Sequence, residues 1–457
     1  MHNRLLISAA FFFSLLFGTN VSGVISSNTT WSLANSPYNI IGDVGIASGS
    51  TLTIDEGVSV NFNGDFKILV KGSILINGSQ ANKVIFNGNS STGETMLLFK
   101  ETNLSNSTIY GTRFIGPQYA IKLADESEHN QDQLKNSDTL NVTYGEFENT
   151  GIFTDGYSTT AGLIVESSNF NSSIIKGHYP RTEPIILKDC RIEGSTINSD
   201  SYNYGIRIYN STIISSNFTI GCCGANFVID GSVIYDSPFS DYNNYYEVTI
   251  TKSKLVESPL FLSQGDVNIT NSILAFDGLK TAISQNEWGG GEELNQLGVR
   301  TRKAIISNCF IGGQGSGSAI EISSYQNWTS NLSNNLFYGI SEGIKISGNS
   351  GSFDFQNNSF LYNALYAVNN QTNRSVSATN NYWGVITASE IENLVYHGND
   401  DLDYGTVAFE PFLTSMNANT PISPPYKVLK SVNGDLKVTW LRNLEEDVEG
   451  YKIHMGN

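Results

Sequence analysis

Basic residues are scarce in this chain: 26 Lys and Arg stand against 43 Asp and Glu over 457 residues, a net charge of −17. No cationic run offers a footprint for a nucleic-acid backbone or an anionic lipid surface, so neither is an expected partner. Cysteine is equally sparse. Four residues supply no disulfide framework for a protein of this length, so a packed core must hold it. Strong helix formers are few, and the longest apolar run, Leu5 to Phe17, is shorter than the about 20 residues that span a bilayer, so no membrane insertion is expected. What is abundant is Gly (43), Phe (24) and Tyr (22), together with Asn, Ser, Thr, Ile and Val, a composition of strands and turns.

The apolar run has another use. His2 and Arg4 precede it and Val21-Ser22-Gly23 follows with small residues, so residues 1–23 read as a cleaved secretory signal peptide. The chain from Val24 onward is then exported, secreted or held at a cell surface.

A six-residue phrase (apolar, polar, polar, small, any, apolar) recurs along most of the chain. It runs Val165-Glu-Ser-Ser168-Asn-Phe170, Leu187-Lys-Asp-Cys190-Arg-Ile192, Ile208-Tyr-Asn-Ser211-Thr-Ile213, Ile229-Asp-Gly-Ser232-Val-Ile234 and Ile250-Thr-Lys-Ser253-Lys-Leu255. It continues through Ser272, Cys309, Asn335, Asn358 and Asn381. A period of about 20–25 residues marks a solenoid, and alternation within each phrase marks strands. Leucine-rich repeats share the period, but their Leu-x-x-Leu-x-Leu frame is missing. The expected fold is all-β: a right-handed parallel β-helix of about a dozen coils, each phrase a strand, a bend and a strand. The Asn or Asp before the small residue is expected to satisfy the bend and stack on its equivalents in neighbouring coils. The longer gap between Ser272 and Cys309 holds an inserted loop or a degenerate coil.

The same ladder fixes the cysteines. Cys190 and Cys309 fall on equivalent positions about five coils apart, more than ~20 Å, so they are expected as buried free thiols. Cys222 and Cys223 lie between Gly221 and Gly224, where they form either a vicinal disulfide or two thiols packed in a loop.

Ile46-Ala-Ser-Gly49 through Phe62, with Ile68 to Gly72 and Val84-Ile-Phe86, resembles the opening coils of bacterial cell-surface right-handed β-helix proteins of the pectate-lyase-like superfold. Asn380-Asn-Tyr-Trp-Gly384 and Gly405 to Phe412 resemble their closing coil. The resemblance implies a β-helix over 24–415 with Trp383 as the lid of its hydrophobic stack. Thr420 to Pro425 marks a Pro-rich linker over 416–426. Gly434 to Trp440 and Tyr451 to His454 then resemble the first strands of a fibronectin type III module over 427–457, too short for a whole one of roughly 90 residues, which makes the expected second unit a partial β-sandwich.

Fold alone does not assign chemistry. Pectin hydrolases of this fold carry Asn-Thr-Asp, Asp-Asp, Gly-His-Gly and Arg-Ile-Lys phrases. Here Gly177-His178-Tyr179 and Arg207-Ile208-Tyr209 complete neither motif, and Asp400-Asp401 lies near the end of the rod. Lyases of the fold align acids for Ca²⁺ beside a basic residue, where these repeats carry Ser and Asn. The balance favours a non-catalytic protein that requires no cofactor. Three clusters remain. His178, Arg181 and Glu183 are the acid–base candidates, against a plain solvated loop. Asp400, Asp401 and Asp403 have Ca²⁺-like spacing without the Gly and Glu of an EF-hand loop, against a capping turn. Tyr202 and Tyr204, with Tyr242, Tyr245 and Tyr246 beside Asp241, precede equivalent strands two coils, or about 10 Å, apart. Such rings stack on sugar faces while carboxylates bind hydroxyls, or else pack loop against wall. The expected function is an exported adhesion or spacer rod that binds a polysaccharide or cell-surface glycan; the alternative is a polysaccharide lyase or related enzyme.

Overall fold

The computed structural model describes residues 18–88, 94–124, 136–155, 161–178, 184–200, 205–221, 226–241, 247–262, 265–277, 281–286, 302–323, 328–348, 352–433, 435–441 and 448–453. The chain is a parallel β-solenoid of about 13 turns with 58% of its residues in strands. Among the described residues two parallel sheets, of 27 and 16 strands, form its walls, and a separate antiparallel hairpin follows them. Among the described residues no helix is long and apolar enough to cross a membrane.

One coil explains the rest. Gly162–Glu166 lies in the smaller sheet, Asn169–Asn171 and Ile174–His178 in the larger, and Ile185–Lys188 re-enters the smaller sheet one coil on. Apolar residues alternate inward and meet their equivalents in register: Val142, Val165, Leu187, Ile208, Ile229 and Ile250 form one such column. All are fully buried, worth about 1.5–3 kcal/mol each in removed apolar surface.

The bend differs from the expectation in one respect. The residue before each small one takes a left-handed backbone, as at Asp189 (φ 52), Asn210 (φ 49), Gly231 (φ 63) and Asn271 (φ 51), which explains the Asn, Asp and Gly found there. It makes the corner, while the rung of hydrogen bonds belongs to the small residue itself. The Ser211 hydroxyl donates to the Tyr209 carbonyl at 2.8 Å and accepts the Cys190 N–H at 3.0 Å; Ser232 accepts the Ser211 N–H and Ser253 the Ser232 N–H, each at 3.1 Å. The N–H groups of Cys190, Ser211 and Ser232, turned inward at this corner, are thus each taken by the next coil, as a buried donor must be. Further on, Asn replaces Ser: Asn335 Oδ1 accepts the Cys309 N–H at 3.0 Å and Asn358 Oδ1 the Asn335 N–H at 3.0 Å.

A second ladder runs at the next corner, five residues later in each coil. Ser173, Ser195, Ser216 and Ser237 pass their N–H groups to the hydroxyls of Ser195, Ser216, Ser237 and Ser258 at 3.0–3.1 Å. Cys190 and Cys309 are buried free thiols that stand in for rungs, and burial pushes both up to about 12. Cys222 and Cys223 lie outside the described residues.

At the ends, Thr19–Ile25 pairs with Tyr38–Ile46 as the first rung, so the boundary read after Gly23 falls inside a strand. Trp383 is buried, stacked on Phe360 at 5.1 Å and met by Phe409 at 6.3 Å. Beyond it the chain turns back along the rod. Met416 packs against Phe310, Leu336 and Leu361, and the Asn417 amide donates to Asn334 Oδ1 at 3.0 Å, so the first residues of the segment read as a linker are docked. The hairpin of Tyr426–Asn433 and Asp435–Leu441 follows, with Trp440 edge-on to Tyr451 at 5.2 Å.

Candidate functional site

The outer face of the larger sheet carries a row of residues that the register aligns across coils: Lys122, Phe153, Lys176 and Asn198. They come from the strands Tyr119–Ala124, Gly151–Asp155, Ile174–His178 and Thr196–Asp200. Both ammonium groups lie over the Phe153 ring, each 4.9 Å from its centre, a cation–aromatic–cation sandwich. Phe153 is 6% exposed, because Tyr119 covers a further side at 4.9 Å. Acids balance the charge. Lys122 Nζ lies 3.7 Å from Glu94 and 4.0 Å from Asp155, and only 17% of its side chain is exposed. Burial, with Glu94 and Asp155 close by, raises the Tyr119 phenol above its ordinary value.

The neighbouring row, nearer the corner, holds Asp155, His178 and Asp200 on successive coils. His178 Nδ1 is 3.1 Å from Asp155 Oδ1, and the imidazole faces Phe153 at 6.4 Å. The site therefore pairs an imidazole oriented by a carboxylate with two cations and a ring, on a rigid wall. Such a surface can hold an anionic group or move a proton.

Of the residues read from sequence, His178 is in this cluster, at the end of its strand. Arg181 and Glu183 lie outside the described residues, as do Tyr202, Tyr204, Tyr242, Tyr245 and Tyr246. Asp241 closes the strand Phe239–Asp241, and its side chain is not among those described. The structure does describe what anchors these loops. His178 is the register partner of Asp200, and Ile220 of Asp241, so these strands end level with one another on successive coils.

Asp400, Asp401 and Asp403 sit in a turn whose backbone consumes two of the carboxylates: Asp400 Oδ2 accepts the His397 N–H at 3.0 Å and Asp401 Oδ1 the Asp403 N–H at 3.1 Å. Among the described residues no group of three or more His, Cys, Asp or Glu side chains is placed to hold a metal ion. His397, buried beside them, accepts the Val407 N–H on Nδ1 at 2.8 Å and faces Glu392 through Nε2 at 3.0 Å.

Lys122, Phe153, Asp155 and Lys176 were not legible as a site. They fall at spacings unrelated by any local motif and meet only when three coils are laid in register. An alignment of outward positions against the period is the signal that finds them.

No family model and no curated protein matches the chain. Among solved structures, one described as a new PL6 alginate lyase complex with trisaccharide aligns over 91% of this chain and 86% of its own, at 12% identity and a TM-score of 0.24. A score that low assigns neither fold detail nor function.

Proposed function

We propose that the protein is an exported, non-catalytic rod that binds carbohydrate along the corner and wall around Lys122, Phe153, Lys176 and His178. The observation that carries this reading is the register of the corner. The strands that end before segments 179–183, 201–204, 222–225 and 242–246 pair coil by coil, so their ends stand at one corner at steps of about 4.8 Å. In this reading Tyr202, Tyr204, Tyr242, Tyr245 and Tyr246 offer phenol rings that stack on sugar faces, and Asp241 accepts from hydroxyls. In this reading Lys122 and Lys176 favour glycans with acidic groups. In this reading residues 1–23 direct export, and the C-terminal hairpin opens a fibronectin type III module that tethers the rod at a cell surface.

The test is binding of the purified chain to a panel of acidic and neutral polysaccharides. The combined Tyr242→Ala, Tyr245→Ala and Tyr246→Ala variant should lose at least ~10-fold in affinity, about 1.4 kcal/mol. Unchanged affinity refutes the assignment of the loops.

A second reading, a polysaccharide lyase, is favoured by the His178–Asp155 pair. An imidazole held by a carboxylate can accept a proton, and the lysines can neutralise a uronate carboxylate. Following unsaturated-uronate absorbance and new reducing ends on the same panel decides between them. Product on any substrate overturns the non-catalytic reading, and His178→Ala with Arg181→Ala should then abolish turnover while the fold stays intact.

A further inference from the structure

At the other end of the same wall, Tyr366 and Tyr396 meet at 5.3 Å with their planes 45° apart, and Tyr404 meets Tyr396 at 6.0 Å and 61°. The rings are half-buried and tilted, so they form a corner and not a flat platform. Beneath them, on the outer face of the strand Tyr366–Gln371, lies Asn369, the register partner of Tyr396 and of Lys345. Its amide nitrogen donates to Glu342 Oε1 at 2.7 Å, and Glu342 Oε2 accepts from Ser318 at 2.9 Å. Asn369 is 4% exposed, yet its Oδ1 has no hydrogen-bond partner. An acceptor buried in this way costs about 1–3 kcal/mol, and it lacks a donor.

The surrounding charge says which donor. Asp400 and Asp401 stand close enough to raise the Tyr396 phenol, after the loss of hydration that is the larger cause. The one lysine in the row, Lys345, is engaged by Glu321 at 3.4 Å. The patch is therefore aromatic and anionic, where the lysines of the Lys122 patch are balanced by Glu94 and Asp155. An anionic ligand is repelled, and among the described residues no three His, Cys, Asp or Glu side chains are placed to hold a metal ion. An ammonium group with N–H donors, carried on a compact carbon skeleton, satisfies the orphan oxygen, the carboxylates and the ring faces together.

We propose that the corner formed by Tyr366, Tyr396 and Tyr404 over Asn369 and Glu342 binds a protonated amino sugar. The choice of a sugar rests on the carbohydrate reading above; the choice of an ammonium rests on this geometry alone.

The experiment titrates the full chain, by calorimetry at two salt concentrations, with fully deacetylated glucosamine oligomers, with their N-acetylated counterparts and with oligolysine. Deacetylated oligomers should bind at least ~10-fold more tightly than acetylated ones and weaken as salt is raised. Tyr396→Ala with Tyr404→Ala should lose that binding. Asp401→Asn, which keeps an acceptor for the Asp403 N–H, should weaken it several-fold with the circular dichroism spectrum unchanged. Equal affinity for acetylated and deacetylated oligomers overturns the proposal, as does binding of neither. Oligolysine bound as tightly as the amino sugar overturns the sugar assignment. Amino-sugar binding that survives the corner-loop tyrosine variant, on a chain deaf to every acidic glycan, leaves this site standing while the corner-loop assignment falls.

Discussion

The two halves of the rod solve the same problems with different side chains. On the outer wall a tyrosine at the start of a strand meets a ring one coil on, Tyr119 against Phe153 at 4.9 Å and Tyr366 against Tyr396 at 5.3 Å. Two lysines cover the first ring, whereas Asp400 and Asp401 stand beside the second. Inside, the first half uses mostly Ser as the rung and the second uses Asn. The comparison separates what the backbone imposes from what the residues choose. Register fixes where rings pair and where N–H groups need partners; charge and side-chain reach are free to change along the rod.

The largest effect should come from the rungs. Asn358 accepts two N–H groups and donates to the Leu332 carbonyl at 2.8 Å, so Asn358→Ala strands several buried groups and should cost about 3–5 kcal/mol. Ser211→Ala strands chiefly the Cys190 N–H and should cost about 1–3 kcal/mol. Urea unfolding of the two variants checks this; equal losses would erase the distinction between the halves.

The thiols give a pH signature that a serine rung lacks. Their folded value is raised above the ordinary one of 9.0 to about 12, so the folded state holds protons that the unfolded state releases. Stability is unaffected below about pH 9 and falls between pH 9 and 12, by up to about 1.4 kcal/mol per unit for each thiol. Cys190→Ser should fit its rung, as Ser211 and Ser232 do, and remove its share of the alkaline loss in melts at pH 8 and pH 10. A thiol reagent at neutral pH should leave Cys190 and Cys309 unlabelled until the chain unfolds.

On the wall, Lys176→Ala should weaken acidic glycans by ~3- to 10-fold and leave amino sugars untouched, with Asp401→Asn doing the reverse. A variant that moved both would merge the two patches into one. The smallest effect belongs to Glu392, whose carboxyl is held below its ordinary value by the Asn399 amide and His397. That stability is present above about pH 4.5 and is lost as pH falls through the folded value. Glu392→Gln should lower the melting temperature slightly at pH 7 and not at pH 3, since Glu392 is an exposed partner.

Much of the coil could be read directly, because inward residues obey the period: Val165, Leu187 and Ile208 announce their column at a glance. The division of labour at the bend could not. Asn210 and Ser211 are adjacent small polar residues, and only backbone geometry tells which turns the chain and which bonds across coils. The serine ladder at 173, 195, 216 and 237 was hidden for a related reason, since Ser is common everywhere in this chain and its meaning lies in the spacing. The wall was hardest. Outward residues answer to no packing rule, so Lys122, Phe153 and Lys176 gain significance only from their neighbours on other coils.

Each inner rung passes its N–H to the next, and Ser211 to Ser232 is a step of 21 residues. The rod is therefore a counted object: its length changes by whole coils or not at all. Excising Cys190 to Asn210 would present the Ser211 hydroxyl to the Ser168 N–H, while a cut of half that size would leave a donor facing apolar side chains. Growth and loss along such a molecule are digital, and the count holds across the long step from Ser272 to Cys309, where Val267 pairs with Ala304 and Ile273 with Phe310.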